Sequence, residues 1–227
     1  MNISYLTDLA NESGGILYVM LLLLLVALTV IVERTRYLAA MEKGGEKLID
    51  KVKKDMHPLE QIELPKKLSQ LPHAKLFSAV RHHSNCSPAA LSSHLEEAIM
   101  HEVPRLDRSL WILDTVITLA PLLGLFGTII GMFNAFHVLG DAQNGSAQVT
   151  GGIAEALVST ACGLMIAMIG LLFFNGLHNR VRIVLHQMET LKIMMTNRHE
   201  AAELTPAIKA SQEQAQLLEI IRPAARV

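Results

Sequence analysis

The chain has 227 residues, and its 20 lysines and arginines against 21 aspartates and glutamates give a formal net charge of −1 at pH 7. This balance excludes nucleic-acid binding through bulk positive charge. Hydrophobic residues make up 51% of the chain and charged residues only 18%, with a mean hydropathy of +0.34, which excludes a disordered chain and favours a membrane protein.

Three uncharged runs are apolar enough to enter a membrane, where a spanning helix needs about 20 residues. They predict transmembrane helices at residues 16–32, 111–138 and 153–177. A secretory signal is the alternative for the first run. No basic residue precedes that run and charged residues follow it directly, so we interpret it as a retained helix.

The basic residues predict the orientation, because cytoplasmic loops collect Lys and Arg. Residues 33–110 contain 13 of the 20 and residues 178–227 contain the other 7. We therefore expect a cytoplasmic helical loop at 33–110 and a cytoplasmic helical extension and tail at 178–227. Residues 1–15 and 139–152 contain none and are predicted to be the periplasmic N-terminus and a short periplasmic loop.

The predicted cytoplasmic loop has helical patterns interrupted by helix-breaking residues, first Gly44 and Gly45 and then three prolines. From Ser87 an apolar stripe predicts a helix that runs directly into the second membrane helix, with a kink at Pro104. Another stripe, at residues 181–195, continues the third membrane helix, and we favour core packing for it over a peptide-binding surface. From Thr205 onward we expect a mobile tail.

The cysteines and histidines have no recognisable ligand spacing. Cys86 and Cys162 belong to no CxxC motif or His/Cys cluster in the sequence, so we predict neither a disulfide nor a metal site, and no cofactor. Five of the histidines in the loop are interpreted as solvated helix surface: His73, His82, His83, His94 and His101.

Small residues recur along the second and third membrane helices at helical spacing. The main positions are Pro121, Gly124 and Gly131 in the second helix, and Gly163 and Gly170 in the third. We expect these faces to form contacts between subunits of an oligomer. The alternative is an ordinary tight helix pair within one subunit.

Polar side chains also occur in these two helices, where charged groups are costly and usually face a bundle interior or a wet cavity. They are Asp114, Thr115 and Thr118 near the inner end of the second helix, Thr128 in its middle, and Glu155, Ser159 and Thr160 early in the third. Structural alternatives remain open: an interfacial acid for Asp114, helix-end stabilisation for Glu155, and hydrogen bonds within the helix for the threonines.

The middle of the three helices otherwise lacks carboxylates, histidines and lysines. This chain alone therefore cannot assemble a titratable relay across the membrane. A second chain would have to bring the protonatable group.

Two motifs resemble a known family. The segments APLLGLFGTIIGMFNAF at residues 120–136 and TGGIAEALVSTACGLMIAM at residues 150–168 closely resemble the paired core of the MotA/TolQ/ExbB proton-channel family, most of all its ExbB branch. The three-helix topology and the large cytoplasmic loop extend this resemblance more loosely over the whole chain.

The resemblance implies an all-α membrane protein of the bacterial inner membrane that forms a homo-pentamer. Its partner would be an ExbD- or TolR-like single-pass protein with a membrane aspartate, whose motion passes to a TonB-like protein spanning the periplasm. The pore-lining threonines of the family match Thr128 and Thr160, and its third-helix glutamate matches Glu155.

Three functions follow from these observations. The first is a proton-driven motor subunit that energises TonB-dependent transport, with a TolQ-like subunit of the Tol-Pal envelope system as its near alternative. The second is a passive pentameric scaffold. The third, a membrane enzyme, is disfavoured because the sequence has no nucleophile–base pair, metal ligand set or phosphate loop.

Overall fold

The computed structural model describes residues 15–55, 64–139 and 145–221. Within these ranges the chain forms helices and turns and no strand, which confirms the all-α prediction. The helices are α1 (Ile16–Lys54), α2 (Lys66–Ser69), α3 (Ala74–His82), α4 (Pro88–Leu106), α5 (Leu110–Leu139) and α6 (Gly145–Ile221).

Three of these helices, α1, α5 and α6, are long and apolar enough to cross a membrane. Their apolar stretches contain the three runs predicted from the sequence. Helix α5 continues to Leu139 and α6 begins at Gly145, so both helices extend into the segment 139–152 for which the sequence predicts a periplasmic loop. Residues 140–144, and the N-terminal segment 1–14, lie outside the described residues.

The chain divides into two compact units. The first, called here the membrane unit, contains the described residues up to Ala39 and Asp107–Val181. The second, called the loop unit, contains Ala40–Leu106 and the described residues from Arg182 onward. Helices α1 and α6 each contribute to both units.

Gly44 and Gly45 do not interrupt α1, contrary to the prediction. Glycine in a helix interior costs about 1 kcal/mol relative to alanine, so both positions need a packing reason. The side chain of Leu71 packs directly against Gly44, and a Cβ atom on Gly45 would lie 2.6 Å from Nε2 of His73. The two glycines therefore allow close packing within the loop unit.

The predicted continuity between the loop helix and the second membrane helix is wrong. Helix α4 includes Pro104 and ends at Leu106, and α5 begins only at Leu110. Ser109 between them has a φ of 66°, which a helix cannot contain. Its hydroxyl accepts a hydrogen bond of 3.4 Å from the buried guanidinium of Arg34. Of the two predicted extensions, only that of the third membrane helix is continuous.

The methionine-containing stripe of α6 is core, as predicted. Val184, Met188, Leu191 and Met195 are completely buried in the loop unit. They lie on the same helix face, as the spacing of three and four residues requires. The backbone of α6 is helical as far as Ile221, and residues 222–227 lie outside the described residues.

His73 corrects the interpretation of the histidines as solvated surface. Its side chain is fully buried beside Gln187, whose Nε2 donates a hydrogen bond of 3.1 Å to the carbonyl of Glu42. Burial lowers the pKa of His73 from 6.5 to about 4, because desolvation disfavours the charged ring more than Gln187 and the Val184 backbone favour it. His73 is therefore neutral at physiological pH.

Candidate functional site

The small faces of α5 and α6 meet each other within one chain. A Cβ atom on Gly124 would lie 3.0 Å from the Cα of Thr160, and one on Gly131 would lie 2.9 Å from the Cβ of Ala156. One on Gly163 would lie 3.1 Å from the Cα of Gly124. The backbones approach too closely for any larger residue, as in other membrane helix pairs built on small side chains.

The same packing continues toward the other end of the pair. A Cβ atom on Gly170 would lie 2.8 Å from Cγ1 of Ile117, and the carbonyl of Ile117 is the one that Pro121 leaves without its usual helical N–H partner. These positions pack α5 closely against α6 within one chain, which is the alternative given in the sequence analysis. They form the tight pair within one subunit.

Thr128 and Thr160 come together at this helix pair. The hydroxyl of Thr160 crosses from α6 to α5 and lies 3.0 Å from the carbonyl oxygen of Gly124 and 3.5 Å from the hydroxyl of Thr128. The hydroxyl of Thr128 lies 2.6 Å from the carbonyl oxygen of Leu125 in its own helix. Both side chains are half-buried and reach the surface of the chain.

The hydroxyl protons of this pair have closer acceptors than each other. A hydroxyl has one proton and two lone pairs, so Thr160 donates to Gly124 and Thr128 donates to Leu125. Each oxygen then keeps lone-pair capacity for a further donor. The pair, called here the threonine pair, presents two adjacent acceptors at a partly exposed place among apolar side chains.

Ser159 does not share that surface. It is completely buried, and its hydroxyl points toward Met20 of α1, with the oxygen 3.9 Å from the sulfur atom. Gly127 leaves the space that the Ser159 side chain occupies. Ser159 therefore packs inside the three membrane helices of its own chain.

Gly127 is a site residue that the sequence analysis did not select. It stands three residues after Gly124 and four before Gly131, so it continues the small-residue spacing of α5. That spacing was the available signal. Its role is to admit α6 and, with it, the buried Ser159.

The polar groups near the start of α5 are exposed and are not brought together with the threonine pair. Thr115 donates to the carbonyl of Trp111 at 2.8 Å, and Thr118 lies 2.9 Å from the carbonyl oxygen of Thr115. These bonds within the helix are the structural alternative left open above. Asp114 is exposed on the same helix, and Glu155 lies in α6 with a side chain outside the described part of the structure.

Comparison with known proteins decides the family. The model of the MotA/TolQ/ExbB proton channel family matches residues 67–190, which include α5, the threonine pair and most of α6. The chain belongs to this family. Its members are proton-channel subunits, and membership assigns the chain to that class.

Individual relatives carry names from two branches of the family. The chain is 37% identical to the biopolymer transport protein named ExbB-like 3 of Synechocystis over 170 residues, covering 72% of this chain and 80% of that protein. It is 35% identical to the Tol-Pal system protein TolQ of Pseudomonas aeruginosa over 116 residues, covering 49% and 50%. It is also 35% identical to ExbB of Neisseria meningitidis over 88 residues, covering 38% and 40%.

Proposed function

We propose that the chain is the channel subunit of an inner-membrane motor driven by the proton motive force. In this proposal five copies surround an ExbD-like single-pass partner, and proton passage moves one component relative to the other. The motion reaches a TonB-like protein that spans the periplasm and energises transport across the outer membrane. The N-terminus lies in the periplasm and the C-terminus in the cytoplasm.

The observation that carries the proposal is the threonine pair. Its two oxygens are adjacent acceptors, so a protonated carboxyl or a water molecule is the partner that suits them. An ionised carboxylate has no proton to donate, so its oxygens would be repelled by the lone pairs of the threonine oxygens. It could bind only if one threonine hydroxyl rotated away from its carbonyl acceptor and donated its proton to the carboxylate instead. The pair thus distinguishes the two protonation states of a membrane aspartate on a partner helix.

The charge distribution supports a partner of this kind. The apolar stretches of α1, α5 and α6 provide polar acceptors but no complete set of titratable groups across the membrane. In this proposal the partner's aspartate supplies the protonatable group that these stretches lack. Each proton that crosses releases about 2.3 kcal/mol per 100 mV, which is ample to shift a hydrogen-bonded helix between neighbouring positions.

The exposed apolar surface supports assembly into a larger complex. Leu122, Phe126, Ile129 and Phe133 all lie on α5 with more than half of their surface exposed. In a membrane such side chains contact lipid or other protein chains. Because the small faces are used within the subunit, these larger side chains are the surface left for neighbouring copies and for lipid.

A TolQ-like role is the second candidate, since two of the relatives bear that name. A bacterial strain that lacks its own ExbB and TolQ separates the two. Co-expression with an ExbD-like partner is expected to restore TonB-dependent uptake of a metal–chelate complex, whereas the TolQ role predicts restored resistance to detergents. Restoration of neither, with normal membrane levels of both chains, would favour the passive scaffold.

A further inference from the structure

Three potential metal ligands meet in the loop unit. His83 follows the last residue of α3, Cys86 lies in the connection to α4, and His94 lies in the second turn of α4. One ligand atom from each residue lies within 4.8 Å of the others. The imidazole rings of His83 and His94 are stacked, with centroids 3.8 Å apart and planes 7° from parallel.

The local sequence fixes this cluster. The N–H of His83 donates to the carbonyl of Ala79 and ends α3, and the N–H of Cys86 donates to the carbonyl of His83 at 3.2 Å, which closes a turn. Ser87 then begins α4 by accepting the N–H of Ala90 on its hydroxyl. The turn places His83 and Cys86 side by side at the start of α4.

Buried leucines fix the position of α4 beside the cluster. Leu91 and Leu95 flank His94 on α4 and are completely buried, as is Leu76 on α3. Helix α4 is therefore anchored on either side of His94. The three ligand residues are each half-buried, so an ion from solution has access to them.

We propose that His83, Cys86 and His94 bind one Zn²⁺ ion, with water or an external donor as the fourth ligand. Two imidazole nitrogens and one thiolate are a ligand set that zinc accepts in tetrahedral geometry. Binding releases the thiol proton of Cys86. The ion would link α3 to α4 and stabilise their packing, separately from the membrane pathway and independently of the proposed function.

Closure on the ion requires a small rearrangement. Metal–ligand bonds of about 2.0–2.3 Å hold tetrahedral ligand atoms roughly 3.5 Å apart, so the cluster contracts by about 1 Å. A metal lies in the plane of each ligating imidazole, which two parallel stacked rings cannot both satisfy. The His83 ring, at the end of α3, therefore turns out of the stack on binding.

Two neighbouring residues position the ligands. A carboxylate oxygen of Glu97 lies 3.7 Å from Nδ1 of His94, so with Nε2 on the metal the Nδ1–H would point toward an acidic partner, as it commonly does in zinc-bound histidines. Nε2 of His199 lies 2.9 Å from the carbonyl oxygen of Cys86 and steadies the turn. Neither His82 nor His101 belongs to the cluster, and both serve as controls.

Cobalt titration of the full-length protein tests the site. The protein is purified in detergent, treated with a chelator and titrated with CoCl₂, because cobalt replaces zinc and a cobalt–thiolate bond absorbs in the near ultraviolet. We expect this band to saturate at one ion per chain and to disappear when ZnCl₂ is added. Cys86→Ser is expected to abolish the band, and Glu97→Gln to weaken binding about tenfold.

Matched variants make the result specific. Cys162→Ser, His82→Gln and His101→Gln are expected to keep the band, while His83→Gln and His94→Gln lose it. Absence of a thiolate band in the folded wild-type protein, or its persistence in Cys86→Ser, would overturn the proposal. If Cys86→Ser does not fold, zinc X-ray absorption of the wild-type protein decides, since a first shell without one sulfur and two imidazoles also overturns it.

Discussion

The hydroxyl oxygens of Thr128 and Thr160 lie 3.5 Å apart although 32 residues separate them in the chain. Each is hydrogen-bonded to a backbone carbonyl, one in its own helix and one across the helix pair. The close approach of α5 and α6 at Gly124 and Gly163 brings them together. The packing of small residues and the placement of the candidate pathway are thus one structural feature.

Replacing Thr160 by valine separates the contribution of its hydroxyl to stability from its proposed role in the proton pathway. The variant loses the hydrogen bond to Gly124 while keeping the side-chain shape, and such bonds within membranes contribute about 0.6 kcal/mol on average. We expect a small fall in thermal stability, normal co-purification with the partner, and a strong fall in energised uptake. Thr160→Ser, which restores the hydroxyl, is expected to recover uptake; failure of serine to do so would argue against a role for the hydroxyl.

Gly163 is expected to be needed for folding of the subunit itself. Gly163→Leu drives a side chain into the backbone of α5, and overpacking of this kind costs at least about 1–3 kcal/mol. We expect low yield and a lowered melting temperature by fluorescence-detected gel filtration. Gly176→Leu is the matched control, because nothing lies within 4 Å of a Cβ atom there. Equal melting temperatures for the two variants would show that the α5–α6 contact is not as close as described.

His73 predicts a loss of stability in mild acid. The unfolded chain binds a proton at His73 below pH 6.5, whereas the folded chain does so only near pH 4. The pH-dependent contribution of His73 to the free energy of unfolding is therefore complete above pH 6.5. It is lost as the pH falls from 6.5 to 4, and it totals about 3 kcal/mol. Denaturant unfolding of the loop unit as a function of pH measures it.

The control for His73 is an exposed histidine of α6. His73→Leu is expected to flatten the pH dependence between pH 6.5 and 4 even if it lowers stability overall. His186→Leu, at an exposed position of α6, is expected to leave the slope as in wild type. An unchanged slope in His73→Leu would assign the acid sensitivity to other groups.

The orientation of the chain is tested by accessibility of the loop. In a variant with Cys86 and Cys162 replaced by serine, Asn85→Cys places a thiol at an exposed position of the same connection. Because the basic residues predict a cytoplasmic loop, we expect no labelling of intact cells by a membrane-impermeant maleimide and full labelling after permeabilisation. Labelling of intact cells would reverse the topology.

The sequence predicted the helical class, the three apolar helices and the core face of α6, because these depend on periodicity and on uncharged length. It did not predict the continuity of α1 through Gly44 and Gly45. Glycine pairs usually signal a break, and here the contacts with Leu71 and His73 outweigh that tendency.

The candidate site was predictable in part. The threonines were identified through motifs, but the partners of their hydroxyls depend on the crossing of α5 and α6. Ser159 and Thr160 are adjacent in sequence, yet a helix turns by about 100° per residue, so one side chain is buried against Met20 and the other reaches the surface. The His83, Cys86 and His94 cluster depends on a turn between two helices, which residue spacing alone did not indicate.

The most direct test of the account is proton flux through the reconstituted complex. The chain and the proposed ExbD-like partner, which would bear a membrane aspartate, are placed in vesicles with a pH-sensitive dye inside, and flux is driven by a potassium diffusion potential. Thr29→Val is the matched control, because Thr29 also stands in an apolar membrane helix and donates to its own backbone, at Leu25. We predict wild-type flux for Thr29→Val and at least a tenfold loss, or about 1.4 kcal/mol, for the Thr128→Val and Thr160→Val double variant. Undiminished flux in an assembled double variant would contradict the assignment of the threonine pair to the proton pathway.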